Sequence, residues 1–467
     1  MTQDDLTQLS KEELVQMVLA LYHQNEALQA AITELKADNE ALRLKLEKGK
    51  KPPTNSSNSS QPPSRDHKSS LPANRRKRKH GPPVGHTRHE RQFVANPDHV
   101  VELKAETCRH CATDMRKAEA VLLDMNQITE LPPARGEVIE VRQYEVTCPE
   151  CGKAQVGEPV AGLEMDRAFG ARLEATVVYY RQEQHMSYQR TQAAMQCLHG
   201  VRLSQGGIDK IMQRAGNKAI QAAEPIQKRV RQSAVIHSDE TGSRVDASNW
   251  WEWVFCTLTE SLHVMRFNRS VDVIRDVMGQ HQAEVWVSDC NSAQLKAPAQ
   301  QRQICLAHQL RNLQAVVDLD PTAFWPQAMQ ALFRYAIHLH GQRQQLPAEQ
   351  YAQQIRRIEQ LCDWLLQRSL SQDQAARLQR RYRKHRQSLF VCLYRSDVEP
   401  TNNRSERALR PSVIHRKVTG GFRSGWGARA YAALASVIDT AELDAVHAFT
   451  AIQSLLGFPS LPLPSGP

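Results

Sequence analysis

The sequence predicts a multidomain α+β protein, and three observations carry that expectation. A leucine heptad opens the chain, two Cys-x-x-Cys pairs follow, and beyond residue 233 short apolar strands alternate with helical stretches. A length of 467 residues suggests two to four domains. The formal net charge of +10 favours a polyanionic partner, nucleic acid first. No apolar run approaches the roughly 18–20 residues of a membrane span. The opening segment is too acidic and polar for a secretory signal. Ten cysteines, four of them at metal-ligand spacing, point to a reducing compartment, so the expected location is cytoplasmic.

Residues 1–48 are the first predicted element, a coiled-coil dimerisation helix. Leu14, Leu21, Leu28, Leu35 and Leu42 recur every seven residues. With these at position d, Val18, Asn25, Ile32, Asn39 and Leu46 occupy position a. Leucine at d with β-branched residues and occasional Asn at a favours a parallel pair, the asparagines fixing register. Residues 49–90 turn rich in Pro, Ser and Asn and bury too little apolar surface to fold. This predicted disordered linker carries Arg75, Arg76, Lys77, Arg78 and Lys79. Such a cluster can neutralise phosphates without reading sequence, or can be a solvated tail.

Residues 91–160 hold Cys108, Cys111, Cys148 and Cys151, with strand-like pieces such as 138–147 between the pairs. Four thiolates delivered by two tight turns suit a tetrahedral structural Zn²⁺. Residues 161–230 look helical and form the expected DNA-binding domain. Two stretches meet at Gly200, with Ser204 placed to cap the second, a pattern resembling a helix-turn-helix.

From 231 to 440 the pattern is α/β. The segments 233–239, 250–259 and 261–268 read as strands, 270–279 as a helix, and 284–289 and 303–308 as further strands. Three strands, a helix and a fourth strand match the first half of a ribonuclease H-like fold. An all-helical insertion occupies 310–395, and residues 441–467 are a C-terminal helix and tail.

Within that domain Asp239 and Asp289 each end an apolar strand, where open α/β sheets place their ligands. Glu406 lies in Glu-Pro-Thr-Asn-Asn-Arg-Ser-Glu-Arg-Ala-Leu-Arg-Pro, on a helix that Asn402 or Asn403 can cap. Three close carboxylates repel, and divalent metal removes that cost. Hard oxygen ligands with open positions suit two Mg²⁺, or Mn²⁺, ions. Arg407 and Arg410, within about a turn of Glu406, with Lys417 and Arg423 beyond, are candidate phosphate clamps. The glycines at 420 and 421 suggest close backbone approach to DNA. Cys305 and His308 read as core and helix-cap groups; the lesser alternative is that His308, and His237 two residues before Asp239, stand near the catalytic strands and support the acids. Trp250, Trp251 and Trp253 read as packing residues.

These segments together resemble the large transposase of the bacterial insertion sequence 66 family. The resemblance rests on the heptad, the Lys-Pro-Pro-Thr-Asn-Ser-Ser linker, the paired cysteines, His-Ser-Asp-Glu-Thr at 237–241 and the segment carrying Glu406. It implies a DDE acidic triad of Asp239, Asp289 and Glu406 in a ribonuclease H-like domain, and a zinc module of Cys108, Cys111, Cys148 and Cys151. It implies Mg-dependent cleavage and strand transfer of element ends, without a covalent protein–DNA intermediate. The implied partners are DNA, a second copy of the chain through the coiled coil, and accessory proteins of the same element, in a bacterial, nucleoid-associated setting. The alternative is a non-catalytic zinc-containing DNA-binding regulator, or a domesticated inactive transposase, neither of which needs to retain the three acids.

Overall fold

The structure, a computed structural model, describes residues 26, 28, 29, 31–36, 39, 93–131, 134–158 and 168–457. The described residues fall into two compact units, one drawn from 1–71 and 216–451, the other from 72–215 and 452–467. Described positions between 26 and 39 are helical, as the heptad predicts, and Leu28, Ile32 and Leu35 are exposed. The remainder of that helix lies outside the described residues. So do the basic cluster Arg75, Arg76, Lys77, Arg78 and Lys79, and the tail beyond 457.

In the second unit, β1 (Glu145–Thr147) pairs antiparallel with β2 (Ala154–Val156). The strand expected over 138–147 shrinks to its last three residues. Val138, Ile139 and Val141 are exposed, so no apolar layer extends it. Helix α1 (Ala171–Gln182) precedes α2 (Tyr188–His199), which Ser187 caps by accepting from the Arg190 N–H. Gly200 ends α2 at φ +67°, a left-handed cap that glycine adopts without strain. Ser204 then accepts from the Gly207 N–H at 3.0 Å, capping α3 (Gln205–Gln232) as the sequence predicts. Tyr188 donates to Asp209 at 2.9 Å, which holds the α2–α3 corner.

The first unit centres on a mixed five-stranded sheet. Its strands are β3 (Val235–Val245), β4 (Ser248–Cys256), β5 (Ser261–Arg266), β6 (Ala283–Ser288) and β7 (Ala299–Ile304). Helix α4 (Val271–Met278) lies between β5 and β6, capped by Ser270. The spatial order is β5-β4-β3-β6-β7, antiparallel across the first three and parallel across the last three. Side-chain alternation gives the sheet two distinct faces. Ile236, Trp253, Phe255, Leu262 and Trp286 pack against α4 and Ile226 and Val230 of α3. Val285 and Val287 point the other way, into the helical insertion.

That insertion is α5 (Leu306–Leu319), α6 (Phe324–Gly341), α7 (Ala348–Gln367), α8 (Asp373–Lys384) and α9 (Val391–Tyr394). It begins a few residues earlier than 310. The segment 303–308, expected as a strand, is strand only to Ile304, and Cys305 is the N-cap of α5. Leu313, Phe333, Cys362 and Tyr382 form its own buried core. After 400 no described strand follows. Instead α10 (Asn403–Thr419) and α11 (Gly425–Leu443) pack on the sheet, and α12 (Ala448–Leu456) closes the described chain. No described helix is long and apolar enough to cross a membrane.

A buried ionic chain fastens α11 to the sheet. His263 on β5 lies between Glu252 of β4 and Asp439 of α11, each at 2.9 Å. Ser412 of α10 donates to the same Glu252 at 2.7 Å. Burial opposes the His263 charge, but the hydrogen bonds and charges of Asp439 and Glu252 outweigh it and push the imidazole up to about 10. A raised imidazole pKa stabilises the fold fully below about 6.5, and that contribution is lost as pH rises to about 10. His263→Leu should therefore lower the unfolding free energy by about 3–5 kcal/mol in denaturant titrations at pH 6. The gap from wild type should narrow as the pH approaches 10; a constant gap would refute the charged assignment.

Candidate active site

Two of the three acids come from adjoining parallel strands. Val235, Ile236 and His237 of β3 lie opposite Val285, Trp286 and Val287 of β6. Continuing that register by two residues puts Asp239 level with Asp289, on the face that carries His237 and Val287. Asp289 directly follows β6, as the sequence predicts. Asp239 does not end its strand: β3 runs on to Val245. There it has lost its parallel partner but keeps an antiparallel one, with Asp239 opposite Val254.

The third acid is brought by α10, and Asn402 is what seats that helix. Asn402 is its N-cap, yet its side chain makes no capping hydrogen bond. The amide instead donates to the Ser238 carbonyl at 2.8 Å, one residue before Asp239. Its oxygen accepts from Ser405, and its backbone N–H donates to the Cys305 sulfur at 3.1 Å. Cys305 N–H in turn donates to the Ser288 carbonyl at 2.8 Å, one residue before Asp289. One fully buried asparagine thus ties together β3, the β7–α5 junction and α10.

Glu406, half-buried on the first turn of α10, accepts from Arg311 at 3.0 Å and lies 3.5 Å from His308 Nδ1. Both partners belong to α5. The Asp239 carboxyl is held well above the usual carboxylate range, first by burial, then by the charges of Glu240 and Asp289, with Glu406 adding less. The three acids therefore feel one another. Among the described residues, however, the donor atoms gathered within 4.8 Å are those of Cys305, His308 and Glu406; Asp239 and Asp289 stand outside that set. Arg311 holds Glu406 on the α5 side.

Sequence reasoning missed Glu240. Alternation turns it to the opposite sheet face from Asp239, where it is buried. It accepts from Arg269 at 2.8 Å, Asn291 at 2.5 Å and Gln294 at 2.7 Å. Asn291 N–H donates to Asp289 at 2.8 Å, and Trp286 holds the Gln294 oxygen at 2.9 Å. A carboxylate on the far face of β3 therefore fixes the loop that presents Asp289. The segment 290–297 is ordered by these side chains rather than by strand pairing. The sequence signal was present as Asn291 and Gln294, but their partner lies some fifty residues earlier.

Of the candidate phosphate contacts, Arg407, Arg410, Lys417 and Arg423 are all exposed. Helical geometry places Arg410 and Lys417 on the same stripe of α10 as Glu406, and Arg407 about a quarter-turn away. Arg416 is not available in the same way, because it donates to the Gly242 carbonyl and, at 2.9 Å, to Thr241. The Gly420–Gly421 pair has a role within the fold. Gly420, at φ +76°, caps α10, and Gly421 sits at φ +112°, where a Cβ would meet the Arg244 carbonyl at 2.5 Å. The close approach those glycines permit is to β3, through Phe422 N–H to Arg244 O at 2.8 Å. Trp253 is fully buried; Trp250 and Trp251 are half-buried, with Arg269 stacked 4.5 Å over Trp251. All three pack, as expected. His237 is buried on the site face, and burial pushes its imidazole down to about 4, so it is neutral.

The paired cysteines form two similar turns. Ala112 N–H donates to the Cys108 carbonyl and Gly152 N–H to the Cys148 carbonyl, both at 2.9 Å. Both turns need a left-handed residue, Ala112 at φ +57° and Gly152 at φ +69°. Within each pair one thiol is lowered by hydrogen bonds: Cys111 by Thr113 foremost, Cys148 by the backbone N–H groups of Cys151 and Glu150. The two pairs do not meet in one four-sulfur cluster. No described residue from 93 to 158 is buried, and Cys108 and Cys148 are among the few that are even half-buried.

With this geometry in place, comparison with known proteins identifies the class as a transposase. Residues 167–430 match the family model described as Transposase IS66 family, and the chain belongs to that family. Membership makes it a DNA-binding, DNA-cleaving enzyme of a kind that uses divalent metal. No curated protein matches the chain.

The Glu240 network yields its own prediction. Glu240→Ala leaves Arg269, Asn291 and Gln294 without their acceptor and should cost about 3 kcal/mol of stability. Amide hydrogen exchange should rise first across residues 289–297. Unaltered exchange there would mean that Glu240 does not fix the loop.

Proposed function

We propose that Asp239, Asp289 and Glu406 are the catalytic DDE acids of a ribonuclease H-like domain that cuts and joins element DNA. The observation that carries this reading is their convergence: two acids level on adjoining strands, the third on a helix pinned one residue from the first. The β5-β4-β3-β6-β7 order, with helices on both faces, supports the domain assignment. The donor set fits Mg²⁺ or Mn²⁺, being hard carboxylate oxygens; burial, then the charges of Glu240 and Asp289, hold the Asp239 carboxyl up, a cost that a bound cation would remove. When bound, a metal pair supplies activation of the attacking oxygen and stabilisation of the leaving one.

The chain's own residues do the rest. Asn402 sets the height of Glu406 over the strands, and Glu240 sets the Asp289 loop. Arg407, Arg410, Lys417 and Arg423 offer cations to the phosphate backbone beside the acids. His237, neutral and buried, shares the strand face of Asp239 without adding charge.

The remaining modules are assigned the roles the sequence predicts. Cys108, Cys111, Cys148 and Cys151 hold a structural Zn²⁺; the near-identical turns and the lack of a buried core in that module support this. Helices α2 and α3 serve DNA binding. The N-terminal helix pairs two protomers, a reading supported by the exposure of Leu28, Ile32 and Leu35. Arg75, Arg76, Lys77, Arg78 and Lys79 add sequence-independent phosphate contacts, and accessory proteins of the element complete the set of partners.

Asp239→Asn should abolish Mg²⁺-dependent nicking of element-end DNA while leaving binding in a mobility-shift assay intact. Persistent nicking would refute the triad. Arg407→Ala combined with Arg410→Ala should weaken DNA binding. It should also flatten the slope of log affinity against log salt by about 2, one phosphate contact per arginine. An unaltered slope would remove these two residues from the interface.

A further inference from the structure

We propose that Cys305, His308 and Glu406 form a second cation site, selective for a soft divalent ion such as Zn²⁺, whose occupancy withdraws Glu406 from the acidic pocket. The second half of this proposal rests on the catalytic reading of Glu406; the first does not. The three donors lie within 4.8 Å of one another. They combine a sulfur, an imidazole nitrogen and a carboxylate oxygen, a set that favours Zn²⁺ over Mg²⁺.

Two independent features support a ligand role. The first is the Cys305 turn. Its sulfur accepts the backbone N–H of Asn402 across the junction at 3.1 Å, and the N–H groups of Ala307 and His308, two and three residues on, favour its thiolate. The Cys148 turn repeats the local part of this pattern, with N–H groups from Glu150 and Cys151, also two and three residues on. Cys-x-x-His at the start of α5 is thus built like a cysteine knuckle. Burial nonetheless pushes the Cys305 thiol up to about 11, so a bound cation must displace its proton. The second feature is His308, whose Nδ1 is buried, makes no hydrogen bond and lies 3.5 Å from Glu406.

Arg311 opposes the site. Its guanidinium holds Glu406 at 3.0 Å and sits where a cation would be repelled. Metal and Arg311 therefore compete for one carboxylate. Binding also requires the Cys305 thiol to release its proton to solvent as the metal–sulfur bond forms.

The test uses full-length protein stripped with a chelator and titrated with Co²⁺, read by thiolate-to-cobalt charge-transfer and d–d absorption. The difference between wild type and Cys305→Ser isolates this site from the paired cysteines. Wild type should bind one further equivalent, and Cys305→Ser and His308→Ala should each lose it, with circular dichroism checking that both fold. Arg311→Gln should tighten that equivalent roughly tenfold, because an adjacent like charge is removed. Identical stoichiometry and spectra in wild type and Cys305→Ser would overturn the site. Zn²⁺ should also inhibit Mg²⁺-dependent nicking in wild type and do so less in Cys305→Ser; equal inhibition would overturn the coupling to Glu406. If wild type shows no nicking with Mg²⁺ at all, the catalytic reading fails while the cobalt spectra still decide the cation site.

Discussion

The acidic pocket depends on one buried amide. Asn402 donates to the Ser238 carbonyl, accepts from Ser405, and passes its backbone N–H to Cys305. Each contact fixes a different part of the site: the strand before Asp239, the first turn of the helix bearing Glu406, and the junction tied to Ser288. A buried amide can satisfy several groups at once only in one orientation, so it sets geometry as well as contributing energy. Removing it would leave a carbonyl and a serine hydroxyl unpaired in a dry junction, where each is costly. The Asn-Asn-Arg-Ser-Glu stretch is therefore a joint as much as a helix start.

The β3 strand distributes two jobs across its two faces. Asp239 points toward α10, and the next residue, Glu240, points toward α4. Burial raises both carboxyls; the charges of Glu240 and Asp289 raise Asp239 further, whereas the hydrogen bonds of Gln294 and Arg269 offset part of the rise at Glu240, which Asn291 also engages. Consecutive acids in an apolar strand look redundant as sequence. The pleat makes them different devices, one facing the pocket and one holding the loop that completes it.

Much of this was legible from residue order. The strands around Trp253 and Trp286, the α4 helix with its Ser270 cap, the Gly200 and Ser204 turn signals and the helical insertion follow local patterns, and the structure has them. What the sequence concealed was long-range. The extension of β3 past Asp239 depends on β4 pairing with it, and the boundary at Cys305 depends on contacts to Asn402 and Ser288. Both are decided by tertiary partners rather than by periodicity. The Gly420–Gly421 pair is a related case: glycine signals close approach, but not to what, and here one neighbour is Arg244. Cys305 and His308 were read as core because a lone Cys and His on a helix start usually are; only the fold brings Glu406 to them.

Glu406 is then the residue on which opposing demands meet. Arg311 holds it on the α5 side, beside His308, whereas the strand acids lie on the other. A hard cation between the strand acids would reward its movement toward them, since carboxylate oxygens are all such an ion asks for. A soft cation at Cys305 and His308 would reward its staying. On the proposed reading, the metal that binds would select which pocket owns the shared carboxylate, and Arg311, 3.0 Å from Glu406, would set how strongly either must compete.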